Sequence, residues 1–131
     1  MRRLLVVTVS ILLVGCGGGT RAPSSTPAPN LGLPRAAQAR TCLNDAGFRV
    51  VGGPRSAGDR NAPDVELVVN GEGAGAFVGF YKQVERARRY ESQLKRNARR
   101  FNGSVERRGP VSIVWVRKAP AESRRIERCV F

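Results

Sequence analysis

Three carboxylates close together in the chain, Asp64, Glu66 and Glu72, are the first candidates for chemistry. A pair of acids flanking a substrate can divide general-acid and general-base work, as glycoside hydrolysis requires. Asp64 and Glu66 stand two residues apart in an extended segment, so they share one face of it. The competing reading is a solvated strand edge, because a domain this small leaves little room for a substrate cleft. The chain has no His and three Cys, which removes the commonest general base and the usual zinc ligand sets. A serine nucleophile would need Lys82, Lys95 or Lys118 as its base, and all three lie in strongly basic surroundings. Gly71-Glu72-Gly73-Ala74-Gly75 is superficially like a phosphate loop. It lacks the Gly-Lys-Ser/Thr ending, and strand-forming residues follow it, so no helix N-terminus would meet a phosphate there. No catalytic set, metal or cofactor is therefore expected, and a hydrolase built on Asp64 and Glu66 is kept as the alternative of a different class.

The remaining reactive residues are Cys16, Cys42 and Cys129. Met1-Arg2-Arg3 gives a positive start, and residues 4–14 form an uncharged, mostly apolar run that is too short to span a bilayer comfortably. That pattern fits the apolar region of a signal peptide. The tetrad Leu13-Val14-Gly15-Cys16 then resembles a bacterial lipobox. The resemblance covers the first sixteen residues and implies cleavage after Gly15, thioether attachment of a diacylglycerol to Cys16, and Cys16 as the mature N-terminus. Each buried methylene contributes about 0.8 kcal/mol, so two or three acyl chains would hold the protein at a membrane surface. The expected location is thus the extracytoplasmic face of the cell membrane. Together with the composition, the export signal is similar to that of small lipoproteins from high-GC bacteria.

Residues 16–35 contain Gly17-Gly18-Gly19 and then Pro23, Pro27, Pro29 and Pro34 among small polar residues, which reads as a flexible linker. Stretched out, it would reach roughly 60 Å at about 3.3 Å per residue. Residues 36–131 are the expected folded domain. In an oxidising compartment, Cys42 and Cys129 form the natural disulfide, since a redox pair would sit closer together as Cys-x-x-Cys. Closing so long a loop would stabilise by about 4–5 kcal/mol on the chain-entropy argument.

Within the domain, residues 36–46 predict a helix ended by Gly47, residues 48–51 a short strand, and residues 65–69 and 76–81 a hairpin across Asn70-Gly71. From Gln83 to Phe101 the apolar residues Val84, Ala87, Tyr90, Leu94, Ala98 and Phe101 recur at spacings of three and four, which predicts an amphipathic helix. Asn102-Gly103 ends it. Residues 104–106 and 111–117 read as strands turning at Gly109-Pro110, and residues 121–129 as a final helix. The order implies an α+β domain: a mainly antiparallel sheet with helices on one face, in a ferredoxin-like split arrangement. Trp115, Phe48, Phe77 and Tyr81 are expected in the core.

The net charge of +13, from 23 Lys+Arg against 10 Asp+Glu, remains to be placed. Lys82, Arg86, Arg89, Arg96 and Arg100 fall on the polar face of the long helix. Such a face attracts anionic lipid headgroups or wall polymers at about 1 kcal/mol per basic residue. It is also what a merely solvated face looks like, with Glu85–Arg89 and Glu91–Lys95 as i,i+4 pairs. Nucleic acid has the weakest case, because an exported protein does not meet the genome and no aromatics interleave with these cations. The sequence therefore points to a lipid-anchored, non-catalytic binding or envelope-interaction module, with anion binding through Arg86, Arg89, Arg96 and Arg100, or a small envelope hydrolase, as alternatives.

Overall fold

The first helix starts earlier than its composition suggests. In the computed structural model, which describes residues 32–53 and 59–131, α1 spans Gly32–Asp45. Pro34 lies in its first turn, where no backbone N–H is needed for the helix, and the Arg35 guanidinium donates to the Phe131 carbonyl oxygen. Residues 32–35 thus belong to the helix and not to the linker. The signal peptide, Cys16 and the linker up to residue 31 lie outside the described residues.

The elements then follow in the expected order: β1 (Arg49–Gly52), β2 (Val65–Asn70), β3 (Ala74–Phe80), α2 (Val84–Arg99), β4 (Ser104–Arg108), β5 (Val111–Lys118) and α3 (Pro120–Val130). Turn chemistry sets several boundaries. Gly47 after α1 has φ +85°, Asn102 after α2 has φ +56°, and Gly109 in the two-residue β4–β5 loop has φ +54°, conformations that glycine and asparagine adopt most readily.

The strands form one sheet in the order β1-β2-β3-β5-β4, with every neighbouring pair antiparallel. The fold is therefore α+β. Because β3 and β4 both run antiparallel to β5 between them, they are parallel to each other, and α2 is the crossover that joins them. This is the split β-α-β unit of the expected arrangement.

The rest of that expectation is corrected, because the helices do not share one face. Leu67, Val69, Ala76, Val78, Phe80, Val111, Ile113 and Trp115 point to one side, where Ala36, Ala39 and Leu43 of α1 and Ile126 and Val130 of α3 cover them as the main core. α2 packs on the other side through Ala87, Tyr90 and Leu94, which cluster with Tyr81. The reason lies in the central strands. Phe77 and Val114 alternate away from the main core and need a cover of their own, and β3 and β5 are buried on both faces for most of their length.

Cys42 and Cys129 sit at disulfide-bonding distance with Cα atoms 5.5 Å apart, joining α1 to α3 across a sequence separation of 87. Trp115 and Phe48 are buried in the main core as expected, and Tyr81 is buried in the smaller cluster. Phe77 departs from that expectation: it is only half-buried, on the face under α2.

Candidate functional site

Two rows of side chains cross the sheet beneath α2. One is apolar: Val68, Phe77, Val114 and Val105 are successive partners across β2, β3, β5 and β4. The next row reads Glu66, Gly79, Ser112 and Arg107, and its two middle members are the smallest available. A Cβ on Gly79 would stand 3.0 Å from Ser112 Oγ and 3.1 Å from Pro63 Cβ, so the floor is already closely fitted around a missing side chain. α2 bridges this depression instead of filling it. The result is a cavity of about 240 Å³ with Gly79, Ser112, Phe77 and Val114 below, Tyr90, Leu94, Asn97 and Phe101 above, and Pro63, Glu66 and Tyr81 completing the lining.

Its chemistry is apolar with a few converging polar groups, the usual composition of a small-molecule site. Both tyrosines of the chain and two of its five phenylalanines line it. The Tyr81 and Tyr90 rings are tilted at 57° with centroids 6.5 Å apart. Tyr81 has 0% exposure, and its hydroxyl has no hydrogen-bond partner among the described residues. Burial pushes its phenol up to about 12; the Ser112 hydroxyl is near enough to oppose that shift without being placed for a hydrogen bond of ordinary geometry. An unpaired buried hydroxyl is costly. Burial, and then the Asp59 carboxylate, raise the Tyr90 phenol.

Glu66 is the one carboxylate in the lining. The sequence reading of a solvated strand edge is overturned here, because β2 is an interior strand flanked by β1 and β3. The side chain is half-buried, and burial raises its carboxyl above the ordinary 4.5. Gly53 makes room for it: any Cβ at that position would collide with the Glu66 carboxylate. Asp64 does not join Glu66 as a catalytic pair. Its Oδ1 and Oδ2 accept from Arg86 Nη1 at 3.0 and 3.1 Å, and Oδ2 also accepts the Lys82 backbone N–H at 2.7 Å. Asp64 thereby fixes the start of α2, whose N-cap Gln83 makes no side-chain bond of its own.

The structure divides the proposed anion-binding set. Arg86 is consumed by Asp64 and by the Ala62 carbonyl oxygen, 2.8 Å away. Arg89, Arg96 and Arg100 are exposed on the outer side of α2, joined there by Arg88 and Arg99, and none of these five has a carboxylate within 4.0 Å among the described residues. Of the two helical pairs expected, Glu91–Lys95 forms at 2.7 Å. Glu91 also receives Arg107 at 2.8 Å, and these two cations hold its carboxyl below the usual range.

The glycine-rich loop proves to be a structural joint. Glu122 at the start of α3 accepts the backbone N–H groups of Gly73 and Ala74 at 3.0 and 2.7 Å. Side chains at Gly71 or Gly73 would strike Glu122 or Ala119.

Sequence reasoning missed Glu66, Tyr81, Tyr90, Gly79 and Ser112 as one constellation. A signal was present: a lone acid in Val-Glu-Leu-Val-Val, a glycine between Val78 and Phe80, and a serine between Val111 and Ile113. No helix among the described residues is long and apolar enough to cross a membrane. Comparison with family models, curated proteins and solved structures finds no match to the chain.

Proposed function

We propose that the protein is a non-catalytic binding module, held by a lipid on Cys16 at the extracytoplasmic face of a membrane, and that it takes a small ligand into the cavity beneath α2. The carrying observation is an aromatic cavity that holds Glu66 and is lined by Tyr81, whose buried hydroxyl has no hydrogen-bond partner among the described residues. Binding suits the lining better than hydrolysis. One acid lines the space, the second is committed to Arg86, and among the described residues no nucleophile–base pair stands beside them.

Two experiments test the two halves of this reading. Phenol and phenethyl alcohol, titrated into the isotope-labelled chain, should give saturable amide shifts at Gly79, Leu94 and Ser112 that Ser112→Leu abolishes by filling the floor. An absence of saturable shifts with either probe sinks the pocket. Mass analysis of the mature protein should show diacylglycerol on Cys16, and an uncleaved, unmodified N-terminus sinks the anchor.

The second reading is an anion-binding surface on the outer side of α2, favoured by its unpaired Arg88, Arg89, Arg96, Arg99 and Arg100. Salt-sensitive binding to phosphatidylglycerol vesicles, lost when these five are changed to Gln, is its expected signature.

A further inference from the structure

The cavity beneath α2 has polar groups that select one ligand chemistry. Its only carboxylate is Glu66, half-buried and, among the described residues, without a hydrogen-bonding or ion-pairing side chain. Tyr81 and Ser112 also line this space, the buried Tyr81 hydroxyl without a hydrogen-bond partner among the described residues, together with Phe77, Tyr90 and Phe101. A carboxylate deprived of water gains most from a cation that replaces its hydration. Aromatic faces attract the same charge through their quadrupoles. The Tyr81 hydroxyl oxygen, finally, with no partner among the described residues, is free to accept from an N–H donor.

Building on the pocket reading above, the geometry points to a primary ammonium carried on a short apolar or aromatic group as the ligand. The nitrogen would lie between the Glu66 carboxylate and the Tyr81 and Ser112 hydroxyls, donating to each, and the apolar part would lie along Phe77, Leu94 and Phe101 toward the mouth. Phe101 is 41% exposed, which marks the open end. A volume of about 240 Å³ suits a group of this size.

The strong positive charge of the domain does not oppose such a ligand at close range. Arg86, the cation of α2 nearest the tyrosines, is neutralised by Asp64. Arg107, the last member of the floor row, is neutralised by Glu91. The unpaired arginines stand on the far side of α2, beyond which solvent ions screen them within about 8 Å.

Titration of the oxidised full chain with phenethylammonium, phenethyl alcohol and phenethyltrimethylammonium tests this, read by amide shifts at Gly79, Leu94 and Ser112 and by calorimetry. The primary amine should bind at least about tenfold tighter than the alcohol, and Glu66→Gln should remove that advantage. Tyr81→Phe should weaken the primary amine while leaving the trimethylated analogue unchanged, because only the former can donate to the hydroxyl. Equal binding of amine and alcohol, or an amine preference that survives Glu66→Gln, overturns the ammonium assignment and leaves the pocket reading standing; no shift with any probe overturns both. Micellar dihexanoylphosphatidylethanolamine is the last arm. Shifts at the same amides assign a lipid headgroup as the source of the ammonium, and their absence alongside phenethylammonium binding assigns a free amine.

Discussion

Tyr81 has the most unusual environment of any residue in the domain. Its phenol ionises at about 12 because burial disfavours the phenolate, whereas in the unfolded chain it ionises near its ordinary 10.0. A raised acid makes the unfolded state lose its proton first, so stability is intact below pH 10 and falls as pH rises from there toward 12. Tyr81→Phe should lessen that alkaline loss, followed by urea unfolding across the window, and should add about 1 kcal/mol at neutral pH by removing an unpaired hydroxyl. A loss of stability at neutral pH would mean that the hydroxyl is bonded. Glu66 obeys the same sign at the acid end. Its raised carboxyl favours the folded state below 4.5 and withdraws that support as pH climbs through the raised value, with Tyr81 and Tyr90 the titrating groups that share the cavity. Neither environment was legible in the sequence. A glutamate in an alternating strand has the same pattern whether its face meets water or a helix, and the partner of that face lies twenty or more residues further along the chain.

α2 shows how much an element discloses of itself and how little of its placement. Its stripe of Ala87, Tyr90, Leu94 and Ala98 is readable from spacing alone, and so is its end at Asn102-Gly103. The face of the sheet it covers depends on Phe77 and Val114, which belong to other elements. β3 and β5 carry large apolar residues on both faces, Phe77 and Val114 on one and Val78 and Ile113 on the other, and a one-sided arrangement of helices leaves one of these sets uncovered. The Asp64–Arg86 pair and the Lys82 backbone bond pin the start of the helix. Asp64→Ala should destabilise by about 1–3 kcal/mol in chemical unfolding, since it leaves a partly buried guanidinium without its charge partner. Adding Arg86→Met should recover part of that loss. If the double variant is no more stable than the single one, Asp64 acts mainly through the helix start and the ion pair contributes little.

For the whole molecule, composition and spacing fixed the α+β class, the order of elements and the cysteine pairing, all of them local or arithmetic properties. The pocket lay beyond reach because it is a joint product of β2, β3, β5 and α2. Reduction of Cys42 and Cys129 should lower the unfolding free energy by about 4–5 kcal/mol, measured with and without reductant. A change below about 1 kcal/mol would mean that the thiols do not bond in the folded protein.

The same crosslink settles where mechanical load travels. Tension applied between residue 32 and Phe131 runs along most of α1 to Cys42, crosses to Cys129, and leaves through the last turn of α3. Everything between the two cysteines, including all five strands, α2 and the cavity, lies on a slack branch parallel to that path. A pull on the chain ahead of α1 therefore strains α1, the end of α3 and a covalent bond, and the part of the domain that contains the cavity stays unloaded. In single-molecule stretching the oxidised protein should give only a few nanometres of extension, and the reduced protein should unravel the intervening chain.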